Sequence, residues 1–206
     1  MMHHSAKDNY VHLTTTPVPR LITSLAVPTI ISMLVTSIYN MADTFFVSRI
    51  GTSASAAVGV SYSLMSMIQA LGFTLGMGSG NYLSRVLGSR DEEKAERIAS
   101  TGFYSAILIG FLFAVVCLPN LDVLVRLLGA TDTIAPYAKD YAKYILIAAP
   151  VMTGSLAMNN LLRFQGLAVY AMIGITTGGI LNMILDPIFI FGLDLGISGA
   201  ALATAL

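Results

Sequence analysis

The sequence contains very little charge. Only 11% of its 206 residues are charged, with 11 basic and 11 acidic side chains and no formal net charge. Ordinary soluble domains carry about 25% charged residues. The composition therefore argues against a soluble protein. Because no basic excess remains, we expect no nucleic-acid partner.

Cysteine and histidine are also scarce. Cys117 is the only cysteine, so the chain cannot form an internal disulfide, and two of the three histidines are His3 and His4 in the polar tail. The sequence shows no cluster of metal ligands, no nucleophile elbow and no phosphate-binding loop after a strand. We therefore expect neither an enzyme nor a bound cofactor.

Apolar residues dominate what is present. They make up 55% of the sequence, and the mean hydropathy is +0.76. About 20 apolar residues in a helix span the ~30 Å hydrocarbon core of a bilayer. We predict an all-α integral membrane protein with a six-helix transmembrane bundle. The predicted spans are approximately 21–48, 54–87, 95–118, 135–162, 167–193 and, incompletely, 197–206.

The ends of the chain and its loops give the expected topology. Residues 1–20 form a polar lead-in, and the sixth apolar run stops at Leu206 after about ten residues, so we expect the chain to be part of a longer protein. Basic residues favour the cytoplasmic side of short loops. With the N-terminus inside, seven of them are cytoplasmic and four external, which predicts a cytoplasmic N-terminus in the inner (plasma) membrane. The cytoplasmic set is Lys7, Arg20, Arg85, Arg90, Lys94, Arg97 and Arg163, and the external set is Arg49, Arg126, Lys139 and Lys143.

Two acidic residues lie deep in the apolar runs. Asp43 is near the end of the first span, and Asp186 follows Asn182 by four residues in the fifth, so the amide and the carboxylate share one helix face. A charge at mid-membrane costs roughly 2.5 to 3.5 kcal/mol on insertion scales and marks a candidate functional site. Two alternatives remain at this stage. Asp43 pairs with Arg49 at a helix end, or Asp186 serves only to bond a neighbouring helix.

Two further polar residues are expected at the same depth in the membrane as Asp43 and Asp186. Asp43 and Asp186 lie roughly 18 to 22 residues from the cytoplasmic starts of their spans, and Tyr141 and Thr204 lie roughly six to eight residues from the external starts of theirs. Pro187 deprives a preceding carbonyl of its helical hydrogen bond. Carboxylate oxygens, an amide oxygen and a backbone carbonyl without its helical hydrogen bond are together suitable ligands for a proton or a small cation.

Four stretches resemble the multidrug and toxic compound extrusion (MATE) transporters, close to the bacterial drug-efflux type. They are AVP at Ala26–Pro28, YNMADTFFVSRIG at Tyr39–Gly51, LRFQG at Leu162–Gly166 and NMILDPIFIFG at Asn182–Gly192. The resemblance covers residues 17–206. Such transporters have twelve helices in two six-helix lobes, so the resemblance implies that residues 21–206 are the N-terminal lobe with its sixth helix truncated.

The resemblance implies an antiporter that takes in Na+ or H+ while exporting organic cation drugs. By matching position, it implies a proton or Na+ site at Asp43, Asn182, Asp186 and Thr204, with Tyr141 nearby. Pro28 would be the bend that responds to protonation, and Pro187 is a second break. The implied partners are the drug, the lipid bilayer and a missing C-terminal lobe.

Two other functions remain open. A flippase for lipid-linked oligosaccharides binds anionic headgroups and should line its cavity with Arg and Lys, whereas the basic residues here lie near predicted span ends. A truncated membrane subunit that transports nothing by itself has the same apolar pattern.

Overall fold

The computed structural model describes residues 11, 13 and 15–205, and these residues form helices joined by short turns. Lys7, the other residues up to position 10, and Leu206 lie outside the described residues. The bounds are α1 Val18–Ser48, α2 Thr52–Gly88, α3 Glu92–Cys117, a 3-10 turn Leu118–Asn120, α4 Leu121–Leu127, α5 Ala135–Phe164, α6 Ala168–Pro187, a π segment Ile188–Gly192 and α7 Gly196–Ala205.

The predicted fold class is confirmed. Counting α3 with α4, and α6 with the π segment, five helical segments are long and apolar enough to cross a membrane, and α7 is a shorter apolar helix. The described part of the chain contains no strand. The fold is therefore an all-α bundle of membrane-spanning helices.

The helix bounds differ from the predicted spans by a few residues. Helix α1 begins at Val18, so residues 18–20 of the expected lead-in belong to it, with a proline in the first turn where its missing N–H is harmless. Helix α3 begins at Glu92 because the Asp91 carboxylate accepts a hydrogen bond from the backbone N–H of Lys94 at 3.1 Å. Polar caps and charged first turns thus extend helices beyond their apolar parts.

Helix α5 is the centre of the bundle. Half of its most apolar 18-residue stretch is buried, and it packs against α2, α3, α6 and α7. The glycines of α2 at positions 72, 76 and 80 are buried against it. A Cβ on Gly76 would lie 2.9 Å from the Cα of Ala157, so these glycines allow α2 and α5 to pack closely.

Helices α1 and α6 form a second packed pair beside this core. A Cβ on Gly179 of α6 would lie 3.1 Å from the Tyr39 ring and 3.2 Å from the side chain of Val35. Helix α1 continues through Pro28, whose carbonyl accepts a hydrogen bond from the Ser32 hydroxyl at 2.8 Å. A bend at Pro28 therefore stays a prediction.

Candidate functional site

Helix α1 presents one carboxylate to the interior of the bundle. Asp43 is 9% exposed, and it continues the buried side of α1 that includes Ser32 and Val47. Tyr39 lies one turn before Asp43 and contacts Gly179 of α6. The contact with α6 therefore brings this part of α1 close to the fifth predicted span.

Helix α6 presents the second carboxylate from the same contact face. Gly179, Asn182 and Asp186 are spaced i, i+3 and i+7, and all three are buried. Asp186 is completely buried and lies in the last turn before the helix widens into the π segment at Pro187. Because Gly179 has no side chain, α6 can approach α1 closely here.

Helices α5 and α7 complete the site. Tyr141 of α5 is completely buried, and its hydroxyl lies 3.9 Å from the sulfur of Met65 and beside the side chain of Thr204. The Thr204 hydroxyl is 3.5 Å from the amide nitrogen of Asn182. The structure thus brings all five predicted site residues together, from four helices.

A glycine allows α7 to take this position. A Cβ on Gly199 would lie 2.7 Å from the carbonyl oxygen of Phe189 in the π segment. Any residue with a side chain at position 199 would therefore force α7 or the π segment to shift. Three alanines of α7, at positions 200, 201 and 203, are buried around it. Small residues therefore let α7 pack closely enough for Thr204 to reach the site.

Four buried oxygens of the site lack hydrogen-bond partners. Within residues 15–205, buried atoms without a partner include both carboxylate oxygens of Asp186, one of Asp43 and the amide oxygen of Asn182. The two carboxylates are close enough to interact electrostatically with each other and with Tyr141. Buried polar atoms normally find a partner, because leaving one unpaired costs about 1–3 kcal/mol. Four converging oxygens without one suit a proton or a cation.

The comparisons with known proteins agree with this arrangement. The family model described as MatE matches residues 28–188. The chain belongs to the MatE family. One relative is the multidrug export protein MepA of Staphylococcus haemolyticus, which is 32% identical over 182 residues, or 88% of this chain and 40% of MepA.

Solved MatE structures have the same fold. One is an outward-facing multidrug resistance MATE transporter, 35% identical, with a TM-score of 0.89 over 95% of this chain and 43% of that one. Another is a MATE in a bent conformation, 35% identical, with a TM-score of 0.87 over 95% of this chain and 44% of that one. The chain thus spans less than half the length of these proteins. The identification of the family from sequence motifs is confirmed.

The surroundings of the two acids in this MatE chain argue against both simpler explanations. Arg49 lies over the ring of exposed Phe45 at 4.9 Å, and no ion pair between Arg49 and Asp43 is present among the described residues. Both oxygens of Asp186 are without a hydrogen-bond partner there, so Asp186 does not bond a neighbouring helix. Neither a surface ion pair nor a helix-to-helix bond explains these acids.

Tyr39 is a site residue that sequence reasoning did not single out. It lies within electrostatic reach of Asp43 and Tyr62, and of Tyr141 across the site. Asn40, three residues before Asp43, is exposed. The signal for Tyr39 was its position four residues before Asp43, on the same helix face.

Proposed function

We propose that this MatE chain carries the coupling-ion site of a multidrug antiporter that exports organic cations in exchange for Na+ or H+. The observation that carries the proposal is the group of unpartnered oxygens on Asp43, Asn182 and Asp186. A bound proton or Na+ would satisfy them and change the charge of the pocket by one. The related MepA protein is named for multidrug export.

The ligands suit both candidate ions. Na+ takes hard oxygen ligands, and two carboxylates, an amide oxygen and the Thr204 hydroxyl are of that class. Two carboxylates that share a pocket can also share one proton and titrate as a unit. In either case the ion enters and leaves as a substrate of transport.

One ion is enough to drive export. Exchange of one ion for one monovalent organic cation moves no net charge, so the concentration gradient of the ion supplies the driving force. A tenfold Na+ or proton gradient is worth about 1.4 kcal/mol, which supports an opposite gradient of the exported cation of about tenfold.

Helix α1 is the element that an ion at this site can bias. Only 11% of its most apolar 18-residue stretch is buried, against 50% for α5, and its main packing partner among the described helices is α6. It contains Pro28, and Pro187 adjoins Asp186 on the facing helix. One related MATE was solved in a bent conformation. Binding between α1 and α6 would select one of two shapes of α1.

The charge of the interior favours a cationic substrate. The buried charged residues in the described ranges are Asp43 and Asp186, and both are acidic. A flippase for anionic headgroups would need buried Arg or Lys. The acidic interior therefore favours export of organic cations over lipid-linked anions.

The proposal is tested by measuring export of a fluorescent organic cation from vesicles that contain the whole protein as its cell makes it. Separate Na+ and pH gradients are imposed in turn. We expect one of them to drive export, and we expect Asp43→Asn and Asp186→Asn to abolish the driven component. The matched control is Asp140→Asn, since Asp140 is exposed on α5 and adjoins Tyr141 in sequence.

Two results would contradict the proposal. Full gradient-driven export by both aspartate variants would remove the ion site. An absence of export under either gradient by correctly folded wild-type protein would favour the non-transporting subunit. Labelling of an introduced N-terminal cysteine from each side of the membrane, in a Cys117→Ala background, tests the predicted cytoplasmic N-terminus.

A further inference from the structure

A groove of about 560 Å³ runs between α2 and α3, on residues that the ion site does not use. Its floor is the contact of Ser79 with Gly102, where a Cβ on Gly102 would lie 2.7 Å from the Cβ of Ser79. Tyr82 and Lys94 stand at one end, and Thr74 and Ser105 line the other. The two helices are antiparallel neighbours, and the groove runs along both of them.

The groove is basic at one end. Lys94 and Arg97 both line it, and the Lys94 ammonium lies 5.6 Å from the centre of the Tyr82 ring. Neither cation belongs to an ion pair of the described ranges. The neighbouring acids at positions 91, 92, 93 and 96 do not line the groove. Two positive charges therefore face it without an opposing carboxylate.

The rest of the groove is less polar than its Ser and Thr residues suggest, because the hydroxyl groups on α2 bond within their own helix. The hydroxyl of Thr74 donates to the carbonyl of Ala70 at 2.7 Å, and that of Ser79 donates to Leu75 at 2.5 Å. These hydroxyl groups use their protons within α2, so they present mainly carbon to the groove. Leu75, Ile98 and Gly78 add an apolar lining.

The length of the groove matches one leaflet of a bilayer. From Lys94 to Ser105 a helix rises about 16 Å, and half of the hydrocarbon core is about 15 Å. The basic end lies at the turn between α2 and α3, where charged residues collect. A molecule with an anionic head at that turn and a hydrocarbon chain directed into the bilayer fits both ends.

We propose that the groove between α2 and α3 binds an anionic phospholipid, with its phosphate at Lys94 and Arg97 and one acyl chain along Leu75, Gly78 and Ile98. The site is separate from the ion site, and the inference does not depend on the coupling ion. Bound lipid would fill the space between α2 and α3 that their side chains leave open.

The test is native mass spectrometry of the whole purified protein titrated with phosphatidylglycerol or with zwitterionic phosphatidylcholine. We expect preferential binding of phosphatidylglycerol. Lys94→Gln combined with Arg97→Gln should weaken that binding by about thirtyfold, since each basic residue at a membrane surface contributes about fivefold. The control with equal charge change is Arg85→Gln with Lys143→Gln, at exposed residues that do not line the groove.

A second variant tests the chain-binding part. A Cβ on Gly78 meets no atom within 4 Å, so Gly78→Leu should fold and fill the groove. Gly59→Leu, at an equally open glycine of the same helix, is the control. We expect Gly78→Leu to lower phosphatidylglycerol binding at least tenfold and Gly59→Leu to leave it unchanged.

Four results would overturn the inference. Three of them are equal binding of the two lipids, unchanged binding in the charge variant, and unchanged binding in Gly78→Leu. Displacement of the lipid by glycerol phosphate at equal concentration would also overturn it, because a free phosphate ester would then suffice without the chain.

Discussion

Two regions of the bundle bury polar side chains to the same extent but differ in whether those side chains have hydrogen-bond partners. Thr153, at the contact of α5 with α3, is completely buried, and its hydroxyl donates to the carbonyl of Ala106 at 2.8 Å, with the carbonyl of Ala149 at 3.0 Å. Asp186 is as deeply buried, and neither of its oxygens has a partner in the described structure. A satisfied buried group supports the fold, whereas an unsatisfied one is available to a ligand.

The largest effect on stability should come from overpacking the satisfied region. In Gly110→Ala the new Cβ would lie 2.8 Å from the carbonyl oxygen of Ala149 and 2.9 Å from the Cα of Pro150. We expect the free energy of unfolding to fall by about 1–3 kcal/mol, measured by thermal unfolding in detergent. Gly59→Ala, where the added Cβ meets nothing within 4 Å, should be neutral or slightly stabilising. An equal change in both would show that the close contacts with Ala149 and Pro150 do not decide the outcome.

A smaller loss is expected when the satisfied hydroxyl is removed. Thr153→Val keeps the shape of the side chain but leaves the carbonyl of Ala106 without this donor, at a cost of about 1 kcal/mol. Gradient-driven export should persist, because Thr153 is not part of the proposed ion site. Loss of export from a folded Thr153→Val variant would contradict the conclusion that Thr153 supports only the fold.

Replacing the unsatisfied acid should not destabilise the protein. Asp186→Asn exchanges an unpaired buried carboxylate for a neutral amide of similar shape, which is less costly to bury. We expect an unfolding free energy equal to or above that of the wild type, together with loss of coupling. A destabilisation as large as that of Gly110→Ala would assign Asp186 a structural role.

The smallest change in stability is expected at the edge of the proposed ion site. Thr204→Val removes a hydroxyl that accepts a long hydrogen bond of 3.5 Å from the Asn182 amide and lies beside the Tyr141 hydroxyl, so the free energy of unfolding should fall by less than about 1 kcal/mol. Loss of one oxygen ligand should weaken ion binding about fivefold. The measurement is the ion concentration that gives half-maximal export, and an unchanged value would exclude Thr204 from the site.

Sequence alone predicted the features that depend on spacing and composition. The bundle followed from the length of the apolar runs. The burial of Asp43 and Asp186 in one region followed from their depth along parallel spans. The resemblance to MATE transporters gave the family, which the family model also identifies.

Features that depend on contacts between helices were not accessible from sequence. Pro187 signals a lost hydrogen bond, but not that the next turn widens into a π segment. The sequence does not distinguish Gly199 from the other glycines. Only the contact with the Phe189 backbone shows that a side chain at this position would not fit. Tyr39 and Asn40 both lie near Asp43 in sequence, and only the position of α6 decides that Tyr39 faces the site.

The most direct test is infrared difference spectroscopy of the carboxyl groups in the purified whole protein. If Asp43 and Asp186 hold the coupling ion, adding Na+ or raising the pH should remove a protonated-carboxyl band, and that band should be absent from Asp43→Asn and Asp186→Asn but present in Asp140→Asn. A spectrum without an ion-sensitive carboxyl band, or with the same band in both aspartate variants, would contradict the account.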